Sequence, residues 1–249
     1  MSNDLSVGSS QSALRDKNVL IFGGTSGIGL AAAIQAKDAG AKVTVVGFEP
    51  DRARQVASQY GFEGWRAADV TRSETIAEAL AGIDRVDHLV LLAGSFVTGK
   101  VLEADVGHLR RAFDERVWAA IHILRALGDR LARDGSITFV SGALSDRPNG
   151  YGTAVLAAAS ASMEALARGL ALELAPIRVN TVSPGPIETP LLTKALGENR
   201  DTVVKSMIQT LPLHRLGTAT EAGAAVVFLM TNGWMNGATL NVDGGARLV

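Results

Sequence analysis

Asn18-Val19-Leu20-Ile21-Phe22-Gly23-Gly24-Thr25-Ser26-Gly27-Ile28-Gly29 decides the fold. Its first five residues read as a buried strand, a short apolar run with β-branched members. Gly23, Gly27 and Gly29 punctuate a tight turn, and Leu30 to Ala36 reads as a helix. Strand, glycine turn and helix N-terminus in that order make an anion site. The first-turn N–H groups lack intrahelical partners and the helix dipole favours negative charge. Glycines without Cβ let a pyrophosphate approach the backbone. An ordinary strand-to-helix turn would use the same letters, so the rest of the chain has to discriminate.

Working outward, strands are predicted at Lys42 to Val46, Gly64 to Asp69, His88 to Leu92, Ser136 to Val140, Ile177 to Val182 and Thr239 to Val242. Helices are predicted at Asp51 to Tyr60, Ser73 to Ala81, Asp105 to Arg133, Tyr151 to Leu174 and Glu221 to Met230, with helical pieces between Pro186 and Gln209. Strands alternating with helices predict a single-domain α/β fold: a doubly wound parallel sheet of seven strands with helices on both faces. Residues 1–15 are expected to be a flexible tail, and 16–249 one domain with a substrate loop and helices at about 186–212. Such sheets bind ligands at the carboxyl ends of the strands, where strand order reverses.

Composition narrows the function. The chain has 249 residues, of which 47% are apolar and 20% charged, with a net charge of −1. This balance gives no electrostatic case for nucleic acid or an anionic membrane. There is no cysteine, which excludes disulfides, thiol nucleophiles and cysteine metal sites. Four histidines are scattered without metal-ligand spacing, so no metal site is expected. No run reads as long and apolar enough to span a bilayer. Met1 to Ser12 lacks the order of a signal peptide, so a cytoplasmic location is expected.

The spacing G-x-x-x-G-x-G resembles the short-chain dehydrogenase/reductase family, with Phe22 where the family usually has Thr. Further segments carry the resemblance across nearly the whole chain: Ala68-Asp69-Val70, Leu91-Leu92-Ala93-Gly94 in place of Asn-Asn-Ala-Gly, Ile177-Arg178-Val179-Asn180 with Ser183-Pro184-Gly185, and Val242-Asp243-Gly244-Gly245. The resemblance implies a Rossmann-like domain and a nicotinamide cofactor held by Gly23, Thr25, Ser26, Gly27, Ile28, Gly29, Phe48, Asp69, Val70, Ala93, Gly94, Pro184, Gly185, Ile187 and Thr189. It also implies a homo-tetramer or homo-dimer. Gly47 stands where NAD-binding relatives carry Asp, and Phe48 where NADP-binding relatives carry Arg or Lys; the absent acid favours NADP(H) slightly over NAD(H). Thr25, Ser26, Arg52 or Arg54 would then meet a 2′-phosphate.

The family's chemistry uses a Ser, a Tyr and Lys four apart, and an Asn. Counting back without a gap from Ala171-Leu172-Glu173-Leu174-Ala175 places the Tyr position at Leu156 and the Lys position at Ser160. The Ser position falls on Gly142, beside Ser141, and the Asn position on Arg116. The expected catalytic set is therefore non-standard, with Arg116, Ser141 and Tyr151 as candidates. Tyr151 either caps the helix start or reaches the pocket as a weak donor. Arg116 shares a helical face with Ala112, Phe113, Ala119, Ala120 and Ile123, where an unpaired Arg is costly; Asp114 and Glu115 point elsewhere. It is either a structural Arg, ion-paired or bonding strand-end carbonyls, or a fixed positive charge near the substrate carbonyl.

A missing general acid costs about 10²–10⁴ in rate, whereas positioning two reactants contributes roughly 7–11 kcal/mol. Hydride transfer to or from a small carbonyl, enone or imine is therefore the expected reaction. Two alternatives stand beside it: an inactive NADP(H)-binding protein with a sensor or structural role, and a non-redox lyase or isomerase.

Overall fold

The computed structural model describes residues 13–249. Seven parallel strands form one sheet in the order β3-β2-β1-β4-β5-β6-β9. They are β1 (Asn18–Phe22), β2 (Lys42–Gly47), β3 (Gly64–Ala67), β4 (Val86–Leu91), β5 (Leu131–Val140), β6 (Arg178–Pro184) and β9 (Thr239–Val242). Side chains alternate across a strand, and β1 shows both halves of the core. Leu20 and Phe22 face Leu89, Leu91, Ile137 and Phe139 under α3 (Ser73–Ala79), α5 (Ala119–Leu127) and α6 (Ala154–Glu173). Val19 and Ile21 face Val43, Val45, Val90 and Val182 under α1 (Gly27–Asp38), α2 (Pro50–Tyr60) and α9 (Ala219–Thr231). Burial on both faces explains why these strands read as continuous apolar runs. Each large side chain so enclosed contributes roughly 1.5–3 kcal/mol.

The chain runs outward from β1 to β2 and β3, then crosses back to β4 on the other side of β1. Strand order therefore reverses between β1 and β4, and the crevice at their carboxyl ends is the ligand position of such a sheet.

Several sequence expectations need correction. The helix expected from Asp105 to Arg133 is α4 (Val106–Phe113), a π-turn at Asp114–Trp118 and α5, after which Gly128 turns the chain at φ +51°. β5 starts at Leu131 and carries a bulge, because Val86 pairs with Leu131 but His88 with Ser136. The helix expected from Tyr151 starts at Ala154. Of the expected 1–15 tail, residues 1–12 lie outside the described residues. Leu14 belongs to the core, and its N–H donates to Ala39 O at 3.1 Å. α6 does have the length and apolarity of a membrane span, at 20 residues and a mean hydropathy of 1.3. It lies against the sheet here, burying Met163, Ala167 and Ala171. The segment after β6 holds α7 (Pro190–Leu196) and α8 (Arg200–Thr210). Its base is clipped by the short pair β7 (Ile187–Glu188) and β8 (Gly217–Thr218), which the sequence did not announce.

Candidate functional site

The glycine turn is built to leave backbone bare. Gly23 sits at φ +80°, and a Cβ there would lie 2.7 Å from Ala93 N, so the ends of β1 and β4 touch through backbone. A Cβ on Gly29 would lie 2.1 Å from Gly23 O, which closes the turn onto α1. No side chain caps the first N–H groups of α1, because Ser26 at the N-cap makes no side-chain bond. That cradle of uncapped N–H groups and side-chain-free backbone fits a pyrophosphate by its donor chemistry.

Most of the other residues that the resemblance assigns to the nucleotide follow the carboxyl ends of β2, β3, β4 and β6. Thr189 lies across the glycine turn, its methyl 3.3 Å from the position of a Cβ on Gly27. The Thr189 hydroxyl also caps α7, accepting from Leu192 N at 3.3 Å. Phe48, 68% exposed, follows β2. Asp69 follows β3, its carboxylate accepting from Thr71 N at 3.0 Å and Thr71 Oγ1 at 2.7 Å. Ile28 and Val70 are partly buried against the two core layers. Gly185, just after Pro184, is tied to β9 through Val242 O at 3.0 Å, and Ile187 is buried in β7.

The candidate proton donors are not brought together. Tyr151 is 87% exposed, three residues before α6, in a turn where its N–H donates to Asn149 Oδ1. Ser141, at the end of β5, is buried and donates to Glu164 Oε1 at 2.6 Å. Ser145 donates to the same oxygen at 2.8 Å. Ser141 therefore belongs to a latch between the β5 loop and α6, and its proton is engaged there. Gly142 follows it. Leu156 and Ser160 are both buried on α6. Glu164 escaped the sequence reading because its two partners come from a loop about twenty residues away.

Arg116 is the charged group that does reach the crevice. A Cβ on Gly94, at φ +155°, would lie 3.3 Å from the guanidinium carbon. Arg116 donates to Ser95 O, in the segment after β4, at 3.0 Å and to Ala112 O in the preceding helical turn at 3.3 Å, so a carbonyl bond of the kind the structural reading expects is present. Burial lowers its pKa, opposed by the neighbouring charge of Glu115. Glu115 does not point elsewhere, as the helical spacing implied. The π-turn carries it inward, where it is buried and accepts from Ser95 N and Ser95 Oγ, both at 2.6 Å. Arg111 closes on its other oxygen at 2.6 Å. The i,i+4 spacing of Arg111 and Glu115 was the available signal for that pair. Such π-turns cluster at functional sites.

Phe22 and Leu91 share one apolar cluster. The ends of β1 and β4 thus pack apolar side chains together where the resemblance places polar ones. A small void beside them is lined by Phe22, Leu91, Ala93, Arg116, Val140 and Met163.

Comparison with known proteins extends this picture. A family profile described as enoyl-(acyl carrier protein) reductase matches residues 23–247. The short-chain dehydrogenase/reductase ATR9 of Stachybotrys chlorohalonatus is 32% identical, covering 94% of this chain and 98% of its own. The short-chain dehydrogenase/reductase ucsE of Acremonium sp is 30% identical, covering 94% and 97%. Among solved structures, a small-chain dehydrogenase in complex with NADPH superposes with a TM-score of 0.81 at 33% identity, covering 94% of this chain and all of the other.

Proposed function

Because the chain belongs to the short-chain dehydrogenase/reductase family, we propose that this oxidoreductase uses NADP(H) in preference to NAD(H) and transfers hydride with a non-standard catalytic set. The acceptor class is an imine, a conjugated enone or a small carbonyl, with the cationic iminium favoured. The bound nicotinamide supplies the hydride. The chain's own residues bind, orient and exclude water.

One observation carries this reading. The cradle at Gly23, Gly27 and Gly29 is sterically complete, while the three positions that the resemblance assigns to proton transfer hold Gly142, Leu156 and Ser160. Hydride addition to an iminium carbon discharges the nitrogen and calls for no proton from the protein. Addition to a ketone builds charge on oxygen, where a positioned acid is worth about 10²–10⁴ in rate. Leu156 has no proton to give to either acceptor, which suits the first better than the second.

The test is titration with NADPH and NADH by fluorescence, followed by a panel of cyclic iminium ions, enones and ketones monitored for loss of the reduced cofactor. The reading expects NADPH to bind and the iminium to outpace a ketone of matched shape by at least about 10². Equal turnover of both would refute the acceptor preference. The same stripped positions support one second reading, a non-catalytic NADP(H) binder, which expects tight binding and no turnover across the panel.

A further inference from the structure

Arg116 is a poorly exposed cation that makes no salt bridge among the described residues, and two of its five N–H groups go to backbone carbonyls. A buried charge left this way is expensive unless a ligand completes it. Its acidic neighbour eases this cost only at a distance. The Glu115 carboxylate adjacent in sequence is committed to Ser95 and Arg111, so it adds no ion pair to Arg116. Glu115 and Arg116 instead grip Ser95 from two sides, one accepting from its N–H and hydroxyl, the other donating to its carbonyl. That grip holds the guanidinium against Gly94.

The order of strands says which part of a dinucleotide lies there. The pyrophosphate cradle is at the end of β1. Gly47 and Phe48, at the end of β2, border one side of it, and Gly94, after β4, borders the other. Neighbouring strands are about 4.8 Å apart. With adenosine over β2, the first group beyond the pyrophosphate on the β4 side is the second ribose. Its vicinal hydroxyls are neutral acceptors of the kind a guanidinium edge with spare donors takes. The substrate's reacting atom lies further on, toward β5 and β6.

We propose that Arg116 holds the nicotinamide-side ribose of the cofactor, and that Glu115, through Ser95, is its positioning residue. The site thereby draws its ribose-binding cation from the π-turn, while α6 carries Ser160. This inference rests on the proposed use of a nicotinamide cofactor. It departs from a carbonyl-polarising role for Arg116. Because a guanidinium keeps its proton at every working pH, the cation contributes binding without a proton relay.

The test is a set of dissociation constants for Arg116→Ala, Arg116→Gln and Glu115→Gln against three ligands: NADPH, NADH and adenosine 2′,5′-bisphosphate, which lacks the second ribose. Losing one charge-assisted contact should weaken NADPH and NADH alike, by about tenfold or more, in both Arg116 variants. The bisphosphate should bind as in wild type. Glu115→Gln should weaken the dinucleotides in the same pattern by a smaller factor. Equal loss for all three ligands would mean that Arg116 only supports the fold, and no loss would mean that it does not touch the cofactor; either overturns the proposal. A wild-type protein that binds neither dinucleotide would overturn the cofactor reading itself, a result separate from a failure confined to the variants.

Discussion

Thr25 stands where an acidic side chain at position 47 would have to begin. A Cβ on Gly47 would lie 2.7 Å from Thr25 Cγ2 and 3.1 Å from its hydroxyl. A carboxylate there, of the kind that would select a free ribose diol, would have to displace Thr25. Gly47→Asp alone should weaken both cofactors, because the new side chain displaces Thr25 and disturbs the cradle. Gly47→Asp with Thr25→Ala should move the NADPH/NADH affinity ratio toward NADH by about tenfold or more, the worth of one charge-assisted hydrogen bond. Titrating the wild type and both variants with both cofactors gives the ratio. An unchanged ratio in the double variant would remove position 47 from cofactor choice.

Gly29→Ala tests the cradle directly. Its methyl would meet Gly23 O at 2.1 Å, and backbone cannot move aside as a flexible side chain can. Overpacking of this kind costs about 1–3 kcal/mol. The expected outcome is a lowered melting temperature together with loss of measurable NADPH binding. A variant that binds as well as wild type would show that the turn does not carry the phosphates.

How much of this was legible in the sequence follows from the range of the interactions. β1, the glycine turn and the alternation of strands and helices are local patterns, and they gave the sheet and its crevice. The inward turn of Glu115 was hidden, because a π-turn shifts the face of every residue it contains and helical spacing assumes none. Leu131 continues the helical pattern in the sequence, whereas its place in β5 is set by its register on β4, beyond the reach of a local pattern. The engagement of Ser141 depended on Glu164, and that of Arg116 on Ser95 and Gly94, contacts made only after the chain has folded.

The Glu164 latch predicts an effect on stability. Glu164→Ala strands the Ser141 and Ser145 hydroxyls and frees the loop that follows β5. Hydrogen bonds to a charged acceptor contribute about 1.5–3 kcal/mol, and because the carboxylate is only partly buried the expected loss lies near the lower end. Chemical denaturation measures it. Tyr151→Phe is the contrast: an 87% exposed phenol makes no contribution to the crevice, so stability and turnover should both stay at wild-type values.

His88 gives the fold a pH dependence remote from the crevice. It lies buried on β4, with Nδ1 2.8 Å from Ser136 Oγ. Burial, helped by the positive charge of Arg178, lowers its pKa from 6.5 to about 4. The folded state therefore resists protonation that the unfolded chain accepts. Between pH 6.5 and 4 the unfolded state binds more protons, so stability falls as pH falls. At pH 5 the loss relative to pH 7 is about 2 kcal/mol from this group alone. Asp87 and Asp134, whose pKa values are lowered by hydrogen bonds and by Lys17 and Arg85, add losses in the same direction only at more acidic pH. Urea unfolding at pH 5, 6 and 7 should show this slope in the wild type, and His88→Asn should flatten it. A slope that persists unchanged in His88→Asn would assign the proton uptake to another group.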